Sequence, residues 1–559
     1  MIRNPAALAY SEFDVVIVGG GIFGACAAWD ATLRGLSVAL VEREDFGAGV
    51  SANSFKFIHG GIRYLQHADL IRLRSSCHER SAFLRVAPHL VQPLPVVIPT
   101  YGFGRRGKVF LGAGMYLYDL LTLGRNRKIV DHTRHIPWTR FMGRKKLLEL
   151  FPDLKTRDLT GAAVFSDAQM YNPPRLVLAF IQSAVHEGAQ VANYVEAAGF
   201  LRQGHTIQGI QARDRLTGEK FHIRAKVVLN AAGPWAERLL GTDRHTACTP
   251  RTYSRDACFV INRRFSSSYA LAIAGRTRDP DAVLSRDARH LFLVPWRDRT
   301  LIGVWHVISD ADPDQVTVSD ADLQGFIEEI NWAYPSLNLS LQDVTTWNAG
   351  LVPFGENELG ATDLRYGKRS ALIDHREENG IDGLVTLIGI RYTMGRADAA
   401  NAIDMICEKM GRSRPRAPTD CAPIHGGRVK DFEGLVKRAA SELEVLPVRV
   451  VRALVHNHGS NYRQVVTLTM GKEPALLETI SSSAVLKVEI VNAVRNEMAV
   501  RLTDVVFRRT DLATGGNPCE AALVECSRLV AEELGWDDRK SQEELRRVRS
   551  QFPVSLGAS

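Results

Sequence analysis

Phe13-Asp-Val-Val-Ile-Val-Gly-Gly-Gly-Ile-Phe-Gly24, followed by Leu36-Ser-Val-Ala-Leu-Val-Glu42, is the stretch that decides the fold. Residues 15–18 are an apolar, β-branched run of the kind that forms a buried strand. Gly19, Gly21 and Gly24 give G-x-G-x-x-G, and residues 25–34 read as the helix that crosses back to a second strand ending at Glu42. Each glycine has a mechanical task. Gly19 permits the tight turn, Gly21 lets a pyrophosphate approach the helix N-terminal amides, and Gly24 lets helix and strand pack closely. Glu42 is placed to accept from ribose hydroxyls, which argues for an unphosphorylated ribose, hence FAD or NAD rather than NADP. A lone glycine pattern is often a plain turn, but strand, helix, second strand and acid in this order specify a dinucleotide site.

The chain around this unit has 559 residues, 45% apolar and 24% charged, the make-up of a globular protein of about three or four structural units. Its net charge of +8 suits an anionic substrate or an acidic membrane surface, and equally a generically basic solvated face. No nucleic-acid-binding signature is present, so no nucleic-acid partner is expected. Eight cysteines are scattered without a C-x-x-C pair, which supports neither a zinc site nor an iron–sulfur cluster; reduced thiols and no metal are the expectation. The first ten residues are too weakly apolar for a secretory signal, and no run of eighteen apolar residues occurs, so a cytoplasmic protein without a transmembrane helix is expected. Segment 105–128 qualifies this: basic flanks enclose Val109-Phe-Leu-Gly-Ala-Gly-Met-Tyr-Leu-Tyr-Asp-Leu-Leu-Thr-Leu123, which is either a buried core helix or a helix lying in a membrane interface.

Further along, residues 176–186 read as a helix, 191–195 as a strand, and Ala225-Lys-Val-Val-Leu-Asn-Ala-Ala-Gly-Pro-Trp235 as a strand running into a Gly-Pro turn. His290-Leu-Phe-Leu-Val-Pro-Trp296 and Leu301-Ile-Gly-Val-Trp305 read as antiparallel strands of an inserted domain. Leu384-Val-Thr-Leu-Ile-Gly-Ile390 is one more buried strand, a helix follows over about 394–410, and the breaker-rich 411–427 reads as a linker before a mainly helical remainder. The fold class is therefore α/β: a Rossmann-type nucleotide-binding domain, an inserted antiparallel β-sheet domain and a C-terminal α-helical domain.

Several motifs carry a family resemblance. Asn53-Ser-Phe-Lys-Phe-Ile-His-Gly-Gly-Ile-Arg-Tyr-Leu65, Ala87-Pro-His-Leu90, Leu229-Asn-Ala-Ala-Gly-Pro-Trp235 and Arg495-Asn-Glu-Met-Ala-Val-Arg-Leu-Thr-Asp-Val-Val-Phe-Arg-Arg-Thr510 resemble the FAD-dependent glycerol-3-phosphate dehydrogenases, over about residues 12–535. The resemblance implies a D-amino-acid-oxidase-type FAD protein with FAD-binding segments 12–80, 161–245 and 361–411. It further implies a cap segment 81–160, a substrate domain 246–360, a linker 412–427 and a helical domain 428–540. The implied reaction moves a hydride from C2 of sn-glycerol 3-phosphate to flavin N5 and the electrons on to quinone, on the inner face of the cytoplasmic membrane. By matching motifs, the implied FAD contacts are Gly19, Gly21, Ile22, Gly24, Glu42, Ser54, Lys56, His59, Gly60, Val195, Ala232, Gly233, Trp235, Gly389 and Thr393. The chain alone leaves monomer and homodimer both open.

For the phosphorylated polyol, arginine is the fitting cation because its planar fork holds two phosphate oxygens at once. Arg63, Arg369 and Arg391 align with the family's anion-binding positions. The substrate side also departs from the family pattern. Gly350-Leu-Val-Pro-Phe354 stands where the family reads Gly-Val-Arg-Pro-Leu, so Val352 replaces a substrate-site arginine. Ser254-Arg-Asp-Ala257 stands for Lys-Gly-Ser-His, and Gly303-Val-Trp-His306 for Gly-Thr-Thr-Asp. Arg255, Arg391 and His306 are candidates to compensate, and His306, ahead of His59, is the candidate general base. Three readings follow: the family reaction with a rearranged pocket, oxidation of a different alcohol or amine, and a flavin-binding protein without turnover.

Overall fold

The computed structural model describes residues 1–66, 68–103, 107–152, 154–246, 253–265, 268–278, 288–309, 311–353, 370–412, 415–469 and 474–552. Its first sheet runs Ala371–Asp374, Leu384–Ile388, Lys220–Asn230, Glu12–Val18, Val38–Val41 and Gln190–Ala192 in spatial order. All neighbours are parallel except Ala371–Asp374, which runs antiparallel to Leu384–Ile388. Val15–Val18 is apolar on both faces because both are covered. Val15 and Ile17 pack with Ala25, Leu176 and Ile403 of the helices Ile22–Leu33, Pro173–His186 and Gly395–Lys409, while Val16 packs with Phe200, Ile207 and Ile210 on the other side. Those last three residues come from Val195–Gln203 and Thr206–Asp214, an antiparallel pair that continues the sheet from the early part of Lys220–Asn230.

The second sheet is ordered Val344–Pro353, Tyr253–Ile261, Arg299–Ser309, Ala288–Trp296, Ala270–Arg278, Val91–Tyr101, Leu159–Met170, Phe57–Ile58, with Arg140–Gly143 also on Leu159–Met170. Only the pairing of Ala270–Arg278 with Val91–Tyr101 is parallel among the described pairs. The helix Asp320–Ala333 covers one face through Phe326 and Ile330 against Phe259 and Ile302. The last region is helical, with Val451, Ile490, Val505 and Leu523 in one core.

Two details differ from the sequence expectations. Residues 191–195 are not one strand: Tyr194 takes a φ of 54° and breaks the run, while the Asn193 amide bonds Asp45 and the Met498 carbonyl. The strand Leu159–Met170, assigned from sequence partly to a nucleotide-binding segment, instead hydrogen-bonds along Val91–Tyr101 in the second sheet. Residues 354–369 and the two arginines at 105 and 106 lie outside the described residues.

Candidate active site

A cavity of 1690 Å³ opens between the two sheets. One end is the turn after the first strand. Gly19 has a φ of 109°, and a Cβ there would sit 2.6 Å from the Ala231 carbonyl oxygen. A Cβ on Gly24 would fall 1.9 Å from the Gly19 carbonyl oxygen, so the helix Ile22–Leu33 can approach the strand only because residue 24 is glycine. Gly20 N donates to Glu42 Oε2 at 2.7 Å and Glu44 N to Oε1 at 2.8 Å. Burial raises the Glu42 carboxyl and these two amides oppose that. Trp235 packs its ring over Gly49, and its indole N–H donates to Asp314 at 2.8 Å.

Elsewhere on the wall, two guanidiniums lie near the Tyr64 ring, Arg72 at 4.9 Å and Arg391 at 5.3 Å from its centroid. Arg391 Nη1 donates to the Tyr64 hydroxyl at 2.9 Å, and Arg72 Nε donates to Asp69 Oδ2 at 2.5 Å. His59, Tyr64, Arg72 and Arg391 all line the cavity. From the second sheet come His306 and Asp256, with Nδ1 and Oδ1 2.7 Å apart, and the apolar side chain of Val352. The wall is therefore cationic around Tyr64 and also carries an imidazole beside a carboxylate.

The model of the family described as FAD dependent oxidoreductase matches residues 14–387, and that of the C-terminal domain of alpha-glycerophosphate oxidase matches 417–541. The chain belongs to the FAD-dependent oxidoreductases. It is 29% identical over 558 residues to a glycerol-3-phosphate dehydrogenase of Synechocystis, covering 98% of this chain and 97% of that one. It is 31% identical over 572 residues to a probable mitochondrial glycerol-3-phosphate dehydrogenase of Caenorhabditis elegans, with 98% and 74% covered. The solved glycerol-3-phosphate dehydrogenase of Bacillus halodurans, complexed with FAD, superposes with a TM-score of 0.76 at 24% identity, covering 98% of this chain and 95% of that one.

The nucleotide end of this FAD-dependent oxidoreductase fits the family's cofactor. The Glu42 carboxylate has lone pairs left for ribose hydroxyls after accepting from the two amides. Among the described residues, Ser54 Oγ, buried at the wall, has no hydrogen-bond partner. The volume exceeds the ~300–1,000 Å³ of an ordinary small-ligand pocket, as a dinucleotide plus a substrate requires.

The structure brings most of the sequence-picked residues to this wall: Gly19, Gly21, Ile22, Glu42, Ser54, His59, Val195, Ala232, Gly233, Trp235, Gly389, Arg391 and His306. Others stand behind it. Gly24 packs helix on strand, Gly60 N–H donates to Asp167, and Thr393 Oγ1 accepts from His59 N at 3.2 Å. Lys56 is turned toward Asn348, 2.7 Å from Nζ, in a buried spot that lowers its ammonium from its ordinary value. Arg255 faces away, its guanidinium on Asp322 at 2.6 Å, so it does not supply the cation that Val352 lacks. The Arg63 side chain and all of Arg369 fall outside the described residues. Sequence reasoning missed Arg72 and Asp256. The i, i+3 pair Asp69 and Arg72 just beyond Tyr64 was the available signal for the first.

Proposed function

We propose that this protein oxidises the secondary hydroxyl of sn-glycerol 3-phosphate to dihydroxyacetone phosphate, with FAD as the immediate acceptor and a membrane quinone as the onward one. The observation that carries the reading is one continuous cavity whose wall holds the dinucleotide cradle at Gly19 and Glu42, Tyr64 beside the guanidiniums of Arg72 and Arg391, and His306. FAD would be held by Gly19, Gly21, Ile22, Glu42, Ser54, Val195, Ala232, Gly233, Trp235 and Gly389. The flavin, when bound, supplies the redox chemistry by accepting a hydride from the carbinol carbon. Arg391 and Arg72 hold the phosphate, where charge-assisted bonds from guanidinium are strongest. His306 accepts the hydroxyl proton, a role that suits imidazole near neutral pH.

The membrane side of the reading is supported by the helix Lys108–Leu121. Its inner residues Met115 and Tyr118 are buried, while Val109, Phe110, Tyr116, Leu117 and Leu120 are exposed. Arg74, Arg85, Arg127 and Lys128 gather beside Leu120 and Leu123, so an apolar stripe sits next to cations suited to lipid phosphates. No helix among the described residues is long and apolar enough to cross a membrane. Peripheral attachment to the inner face of the cytoplasmic membrane follows as part of the proposal.

A second reading, oxidation of a larger or less charged polyol derivative, is favoured by Val352 in the wall and by the engagement of Arg255 elsewhere. Anaerobic mixing of the FAD-loaded protein with sn-glycerol 3-phosphate, glycerol and other polyol phosphates separates the two. Rapid bleaching of the flavin by sn-glycerol 3-phosphate supports the first reading. Bleaching only by another donor supports the second, and an inert flavin points to a protein without turnover.

A further inference from the structure

The strands Tyr253–Ile261 and Arg299–Ser309 pair antiparallel with Asp256 opposite His306. Asp256 Oδ1 lies 2.7 Å from His306 Nδ1 and accepts from Ser254 Oγ at 2.6 Å. Residues 254 and 256 share a face of their strand, and Arg255 between them leaves by the opposite face to Asp322. Ser254 is fully buried, whereas Asp256 and His306 line the cavity.

We propose that Asp256, anchored by Ser254, is the positioning residue of this site and fixes His306 as the Nδ1–H tautomer. The inference rests on the reading above in which His306 is the proton acceptor. An ionised carboxylate only accepts hydrogen bonds, so the ring nitrogen facing it must donate, and the lone pair of the neutral imidazole is then on Nε2. When the substrate O–H bond breaks, its proton forms an N–H bond at Nε2. The imidazolium so produced lies against the Asp256 charge, and the proton returns to water as the ring resets. The Ser254 hydroxyl holds the carboxylate oxygen to which His306 bonds, so the donor direction is set before substrate arrives. The two segments that meet here, Ser254-Arg-Asp-Ala257 and Gly303-Val-Trp-His306, are both places where the chain leaves the family pattern. The two departures meet in this one contact between Asp256 and His306.

The test uses the FAD-loaded protein and the variants Asp256→Asn, Ser254→Ala and His306→Gln. Nitrogen-15 NMR of histidine-labelled protein, with His306→Gln assigning the signal, reads the tautomer without substrate. The wild type is expected as Nδ1–H, and that population is expected to fall in Asp256→Asn. In parallel, kcat for flavin reduction should fall about 10²-fold in Asp256→Asn with KM changed less than about threefold, and the acid limb of the kcat/KM profile should move. An unchanged tautomer, or a superimposable pH profile, would overturn the proposal. If Asp256→Asn does not retain FAD, Ser254→Ala decides, with a loss of about tenfold in kcat expected and a wild-type rate and tautomer overturning. Should sn-glycerol 3-phosphate fail to reduce the wild type, the functional reading falls, and the tautomer measurement still judges Asp256.

Discussion

Arg509 grips Asp45 with both arms of its guanidinium, Nη1 to Oδ2 and Nη2 to Oδ1, each at 2.7 Å. Arg508 Nε reaches the same carboxylate at 2.6 Å, and all three side chains are buried. Asp45 lies three residues beyond Glu42, so the C-terminal helical region is tied to the segment that follows Glu42. Burial alone would push the Asp45 carboxyl up; the charges of Arg509 and Arg508 overcome this and hold it far below its ordinary range. The Arg508–Arg509 pair thus anchors a segment next to Glu42 from more than four hundred and fifty residues away in sequence.

Asp45→Ala is expected to destabilise the protein by about 3–5 kcal/mol, because it leaves two buried guanidiniums short of a partner. Thermal melting of the FAD-loaded protein and the rate of FAD release check this. A variant that melts like wild type and keeps its flavin would show that the seam does not support the cradle.

Acid should open the same seam. The buried His425 is pushed from its ordinary 6.5 down to about 4, chiefly by burial, with Arg175, His458 and His186 adding and Glu497 opposing. His89 and His456 are driven well below 6.5, also by burial first, and His456 Nδ1 lies 2.7 Å from the His89 carbonyl oxygen. Each stays neutral when folded and binds a proton more readily when unfolded, so stability is full above pH 6.5 and declines as pH falls from 6.5 toward 4. Glu497 adds a second decline: burial raises its carboxyl, but Arg175 and His458 bring it from 4.5 to about 2, so its contribution is lost between those values. Urea midpoints should therefore be level between pH 7.5 and 6.5 and fall from there to pH 4, and His425→Gln should flatten that fall. A midpoint independent of pH over that range would contradict the assignment of neutral histidines.

The nucleotide half of the site was legible because its signals are local. Gly19, Gly21 and Gly24 are fixed by spacing along one turn, and Glu42 ends the next strand, so contiguous residues carry the geometry. The substrate half depends on register between strands. Asp256 stood in plain view within Ser254-Arg-Asp-Ala257, but its pairing with His306 needs knowledge of which residues face each other across a bulged antiparallel pair. Periodicity along one strand gives the face a residue takes, not the partner it meets. Arg509 was recognised as part of a family element, while its partner Asp45 is distant in sequence and carries no local mark. The segment at 191–195 failed as a single strand for a related reason: Asn193 is drawn into the same buried network, and the chain turns at Tyr194 to allow it.

If Arg391, which donates to the Tyr64 hydroxyl, holds the phosphate as proposed, Arg391→Met separates recognition of the anion from recognition of the polyol. Removing one charge-assisted bond of about 1.5–3 kcal/mol should raise KM for sn-glycerol 3-phosphate by about 10- to 100-fold. Unphosphorylated glycerol should be oxidised no more slowly than by wild type. Steady-state kinetics with both donors checks this, and equal losses on both would assign Arg391 to the flavin or to folding instead.

The exposed stripe on the helix Lys108–Leu121 gives the last expectation. Leu117 and Leu120 are 46% and 59% exposed on the outer face, whereas Tyr118 between them is buried and donor to or acceptor from Cys77 at 3.3 Å. Leu117→Ser with Leu120→Ser therefore changes the surface without touching the packed side of the helix. If that face lies in the acyl boundary, each leucine contributes on the order of 1.5–3 kcal/mol, and the double variant should bind anionic phospholipid vesicles at least about 10²-fold more weakly. Vesicle co-sedimentation at low and high salt measures it, since the neighbouring arginines make the residual binding salt-sensitive. Flavin reduction by a soluble donor should be unchanged in the double variant. Undiminished sedimentation would mean that this helix is not the membrane-facing element.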